Sequence, residues 1–218
     1  MTKTTPHSSA LIASARRHLA PLGVKQRGRS RFWYDDRRWF LISIEFQASS
    51  FDKGSYLNVG CCWLWCAKPH FSFDLGDREE TFHRFTSPAE WEPIADRLAG
   101  RASELAQHYR SQFRSVADLA AHYERQPPAT FWNQYHAAIA YGLTGRIPQA
   151  RHLFRTAIGA ATPTSPQWLK DAAEQCATLD AKLADRGEFR GLIHTEIHRT
   201  RHLMKLPPVA EPMPMGAA

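Results

Sequence analysis

The alternation between residues 39 and 66 constrains this chain most. From Trp39 to Ala48, Phe40, Ile42, Ile44 and Phe46 alternate with Leu41, Ser43, Glu45 and Gln47. From Ser55 to Cys66, Leu57, Val59, Cys61, Trp63 and Trp65 alternate with Tyr56, Asn58, Gly60, Cys62, Leu64 and Cys66. A period of two belongs to strands with one face buried. Ser49–Gly54, between the two runs, is built of turn-forming residues. The two runs are therefore expected to pair antiparallel. An earlier strand is expected over Ser30–Tyr34, turning at Asp35-Asp36-Arg37. A fourth is expected over Phe71–Leu75, followed by a charged turn at Asp77–Glu80 and a short edge strand over Thr81–Phe85.

Pairing the two central strands puts Glu45, Gln47, Tyr56 and Asn58 on one face, with Ser43 and Cys62 near them. Side chains that donate and accept hydrogen bonds on rigid strands suit a recognition surface. A merely solvated sheet face would show the same alternation. Trp33, Trp39 and Tyr56 are the candidate aromatic anchors for a partner. Arg29 and Arg31 would orient an acidic one. Together with Lys25, Arg27 and Arg37 or Arg38, they are expected to crowd one end of the sheet.

The helical segments follow from caps and spacing. Ser9–Leu19 carries Leu11, Ile12, Ala15 and Leu19 on one stripe. Ser87-Pro88-Ala89-Glu90 opens a helix through Phe113, and Ser115 with Asp118 opens another. Gln126-Pro127-Pro128 marks the expected domain boundary. Beyond it, helices are expected over Phe131–Leu143, Pro148–Ile158, 167–185 and Phe189–Leu206. The fold class is thus an α+β domain over 10–126, an antiparallel sheet with helices, followed by an all-α domain over 129–206. Residues 1–9 and the proline-rich tail 207–218 are expected to be disordered.

Lys and Arg outnumber Asp and Glu by 28 to 21, a net charge of +7. That balance suits an acidic partner, whether a protein, a nucleic acid or a membrane surface, and does not choose among them; an acidic protein is the leading expectation, with a nucleic acid as the alternative. Cys61, Cys62, Cys66 and Cys176 form no C-x-x-C, so reduced, buried thiols are expected rather than a zinc site. His194, His198 and His202 recur every four residues, but without the H-E-x-x-H order and beside Arg199 and Arg201. No cofactor or metal is expected. No stretch has the roughly 20 apolar residues of a membrane span, and no signal-peptide run opens the chain. A cytoplasmic protein without a membrane partner is the expectation.

Two resemblances add to this reading. The runs GRSRFWYDD, IEFQASSFDKGSYLNVGCCWLW and HFSFDLGD resemble an uncharacterised bacterial family with a domain of unknown function. The matching residues include Gly28, Arg29, Arg31, Trp33, Glu45, Gln47, Tyr56 and Asn58. The resemblance implies a bacterial cytoplasmic protein and supplies no catalytic residue to carry over. Ala138, Tyr141, Gly145, Ala150, Phe154 and Ala157 resemble the pattern of one tetratricopeptide-type hairpin over 131–163, with no second copy.

The sequence carries no nucleophile elbow, P-loop or dinucleotide fingerprint. The carboxylates open to an acid–base role in a hydrolase-like enzyme are Glu45 with Asp35 or Asp36. The leading expectation is a non-enzymatic interaction module, with toxin neutralisation or phage defence as its setting. The alternatives are nucleic-acid binding through the basic patches and the hydrolase-like enzyme.

Overall fold

A computed structural model describes residues 5–213, apart from the side chains of Asp77, Glu79 and Glu80. The chain forms an antiparallel sheet with helices and then an all-α region. It divides into two compact units. The first ends at Ser111 and leaves out Leu64–Pro69; the second takes in Leu64–Pro69 and starts again at Gln112. The division therefore falls ahead of the Pro-Pro link expected to mark it.

In the first unit, β1 (Lys25–Gln26), β2 (Phe32–Asp36), β3 (Phe40–Gln47), β4 (Gly54–Trp63) and β5 (Leu75–Arg84) form one antiparallel meander in chain order. The central pairing sets Glu45 opposite Asn58 and Gln47 opposite Tyr56, as the alternation requires. The C-terminal edge departs from expectation. Residues 71–74 are not a strand, and Leu75–Arg84 is one strand running through the charged turn expected at Asp77–Glu80. Long-range pairing with β4 holds that segment extended, despite its polar composition. The β2–β3 turn is tighter than expected. Asp36 stays in the strand, its Oδ1 accepts from the Arg38 amide at 3.0 Å, and Arg38 takes the left-handed conformation at φ 73°.

One face of the sheet is the core: Trp33, Ile42, Ile44, Phe46, Leu57, Val59, Cys61 and Trp63 are all buried. Trp39 stacks on Trp63 with centroids 5.4 Å apart and planes 8° apart. The helices α1 (Pro6–Leu19) and α2 (Pro88–Gln112) belong to this unit and bury Leu11, Ala15 and Leu19, and Trp91, Leu98 and Ala102 respectively. Pro6 takes the first turn of α1, where its missing N–H costs nothing, so the helix starts within the segment expected to be disordered. Arg110 of α2 donates to Asp35 at 2.7 Å and to the Leu22 carbonyl at 2.6 Å.

The second unit packs α3 (Val116–Arg125), α4 (Phe131–Leu143), α5 (Ile147–Gly159), α6 (Gln167–Lys182) and α7 (Arg186–Leu203). Ser115 and Asp118 form the expected capping box on α3. The helices α4 and α5 form a hairpin whose turn carries Gly145 at φ 79°. Gly187 lies inside α7, because Asp185 caps that helix through the Glu188 amide at 2.9 Å. The stretch 207–213, expected to be disordered, folds back on α7. Arg201, itself buried, donates to the Pro207 carbonyl, Arg190 donates to the Met213 carbonyl, and Met213 is buried. The rest of the two segments expected to be disordered, residues 1–4 and 214–218, lies outside the described residues.

Candidate functional site

The face opposite the core divides into two halves. Toward one end, Leu41, Ser43, Gly60 and Cys62 are buried. The segment following Pro69 meets the sheet here: the Phe71 ring sits 4.6 Å from Phe32 and 5.5 Å from Tyr34. Ser72 donates to Cys62 Sγ at 3.2 Å, and Asp74 accepts the Trp63 amide at 2.8 Å. Toward the other end, Glu45, Gln47, Tyr56 and Asn58 are half-buried and form a network.

Asn58 is the centre of that network. Its Nδ2 donates to Glu45 Oε2 at 3.1 Å and to Gln47 Oε1 at 3.0 Å. Arg78, opposite Asn58 on β5, completes it. The Arg78 Nε donates to Asn58 Oδ1 at 3.3 Å, and Nη2 donates to Gln47 Oε1 at 2.7 Å. Its guanidinium lies 3.9 Å from the centroid of the Tyr56 ring, a cation–π contact. Phe82 braces that ring from the side at 5.0 Å. Gln47 on β3 and Asn58 and Tyr56 on β4 thus hold an exposed guanidinium in one orientation. Arg78, Asn58, Phe73 and Gly76 line an open groove of about 520 Å³.

Sequence reasoning missed Arg78, because the charged run around it reads as a turn. Its position follows only from the β4–β5 pairing. The pairing depends on Gly60 and Gly76 lying opposite each other. A Cβ on Gly60 would lie 2.3 Å from the Leu75 carbonyl oxygen, and Gly76 takes φ 109°.

The other expected site residues separate from this network. Trp33 lies on the core face and is 2% exposed, so it anchors the core and no partner. Trp39 is buried as well. Arg31 occupies the register position opposite Phe46, on the core side at the end of the sheet, and donates to the Gly54 carbonyl at 3.0 Å. Burial pulls its pKa down to about 10, against the pull of Glu45 in the other direction, and it remains a cation at neutral pH. Arg29 is exposed in the β1–β2 turn. Arg37 and Arg38 occupy the turn at the opposite end of β2, so the expected single cluster of cations is split.

The carboxylates do not converge. Asp35 faces the core, paired with Arg110. Asp36 shares the face of Glu45 but lies four residues along β2 from Phe32, the residue opposite Glu45. That is roughly 13 Å at ~3.3 Å per residue.

All four cysteines are free thiols. Burial pushes the Cys61 thiol well above its ordinary pKa and the Cys176 thiol up to about 12, which keeps both protonated and unreactive. Among the described residues, no three His, Cys, Asp or Glu side chains gather where they could hold a metal ion. On α7, His194 turns to Glu211 at 3.5 Å, whereas His198 and His202 are exposed.

Fold and site together define an α+β unit that presents a braced polar network beside an open groove, followed by an all-α unit. No family model matches the chain, and neither a curated protein nor a solved structure does. No helix among the described residues is long and apolar enough to cross a membrane.

Proposed function

We propose that this chain is a non-enzymatic interaction module that recognises an acidic protein partner through the Glu45–Gln47–Tyr56–Asn58–Arg78 face. The observation that carries this reading is the bracing of Arg78. A long side chain on a sheet surface normally loses its rotamer freedom only when something binds it. Here Gln47, Asn58 and Tyr56 fix it beforehand, so a partner's acidic group would meet a positive charge already held in place. Glu45 and the two amides add polar groups that reject a partner of the wrong pattern. The net charge of +7 favours an acidic partner. The buried thiols suit a reducing bacterial cytoplasm, and toxin neutralisation or phage defence is a setting that such a module fits.

Affinity capture tests the reading. Immobilised wild-type protein should retain a discrete protein from an extract of its source cells. Asn58→Ala and Arg78→Ala should each lose that protein while melting near the wild-type temperature. Equal capture by the wild type and both variants would contradict it.

A further inference from the structure

The end of the sheet beside this face carries a second feature. The β1–β2 turn, the β3–β4 loop and the end of β5 meet there: Arg31 bonds the Gly54 carbonyl, Phe85 N–H bonds the Lys53 carbonyl at 2.8 Å, and Arg84 pairs with Asp52 at 2.8 Å. At the tip of the β3–β4 loop, Phe51 is 96% exposed, more than any other large apolar residue described. Its position is held by the chain. Ser49 Oγ accepts the Phe51 amide at 3.1 Å and the Asp52 amide at 3.3 Å, and the Asp52–Arg84 pair anchors the following residue. Arg27 and Arg29 are exposed in the β1–β2 turn and Lys53 in the β3–β4 loop, at the same end of the sheet. The nearby acid Asp52 is neutralised by Arg84. We propose that this end of the sheet is a binding site for single-stranded nucleic acid, with a base stacked on Phe51 and backbone phosphates on Arg29, Lys53 and Arg27.

The chemistry favours this ligand over the other surface that takes an aromatic tip with cations, an anionic membrane. Stable membrane docking needs more buried apolar surface than one ring supplies. The neighbours of Phe51 are Ser49, Ser50 and Asp52, which would have to enter the lipid interface with it. A nucleobase needs a single aromatic face, and a flexible strand can bring its phosphates down to cations at this end of the sheet. Single strands are favoured over duplex because a base inside a duplex has no free face to stack on a side chain. Arg27 already lies over Phe71 at 4.6 Å, so its contribution is charge without reorientation.

The test is fluorescence anisotropy with a labelled oligothymidine of roughly 20 nucleotides, run beside a duplex of equal length and phosphatidylserine vesicles. The oligothymidine should bind more tightly than the duplex, and its affinity should fall steeply between ~50 and ~200 mM salt. Phe51→Ala should weaken it about 5- to 100-fold with the salt slope unchanged. Arg29→Ala should lower that slope by about one. Phe51 and Arg29 are exposed, so both variants should melt as the wild type does. Unchanged affinity of Phe51→Ala, tighter binding to duplex, or binding to vesicles without binding to the oligonucleotide would each overturn the proposal.

Discussion

Asp35 and Arg110 tie three pieces of the first unit together. The carboxylate sits on β2, the guanidinium on α2, and the same guanidinium holds the Leu22 carbonyl after α1. Asp35 is buried, so removing it strands a largely covered cation. Asp35→Ala should cost about 3 kcal/mol in urea unfolding; a loss under ~1 kcal/mol would mean that water replaces the carboxylate. Three histidines give a second expectation at this scale. Burial is the first cause lowering the pKa of His7, His122 and His194. Arg31 and Lys53 add to it at His7 and Arg125 at His122, while at His194 Glu211 opposes it and Arg190 and His198 add to it. The unfolded chain therefore binds these protons more tightly than the folded one. Their contribution to stability is complete above the unfolded value of about 6.5 and is lost as pH falls through it toward the lower folded values. The urea midpoint should drop between about pH 7.5 and pH 5.5. His122→Gln should make the drop shallower. A midpoint that rises on acidification would contradict this assignment.

At the scale of elements, alternation is a strong signal only where one face is buried. The strands β3 and β4 alternate cleanly, and their register, with the polar set on one face, could be read from the sequence. The strand β5 could not. Its residues Asp77, Arg78, Glu79 and Glu80 carry turn-like polarity, and what extends them is the ladder with β4, a contact with residues far off in sequence. For the same reason the alternation does not reveal Arg78 as a site residue, nor that Trp33 turns to the core rather than to a partner, because a lone aromatic gives no sign of its face until the pairing is known. Caps were legible because they are local: Ser115 with Asp118 and Ser87 before Pro88 need no distant partner. The β4–β5 pairing also gives a test of its own. Gly60→Ala sets a Cβ against the Leu75 carbonyl oxygen and must push β5 away. It should destabilise the protein by about 1–3 kcal/mol and disturb the Asn58–Arg78 contact. Wild-type stability of Gly60→Ala would mean that the two strands part without cost.

At the scale of the molecule, the two units are not two consecutive stretches of chain. Leu64–Pro69 belongs to the helical unit, where Trp65 is buried, donates to His136 Nδ1 at 3.0 Å and accepts from the Tyr135 hydroxyl at 3.2 Å. A fragment starting at residue 112 lacks this segment. It should show poorer amide dispersion and a lower melting temperature than the same region within the full chain. A fragment that folds as well as that region does would mean that Trp65 is dispensable.

Melting of the Glu45→Ala/Asn58→Ala double variant separates a polar network that serves a partner from one that serves the fold. The network lies on a half-exposed face, so its loss should cost no more than about 1 kcal/mol, while partner capture disappears. A loss of several kcal/mol, with capture retained at temperatures where the variant is folded, would contradict a partner-binding role and make the network a structural part of the sheet.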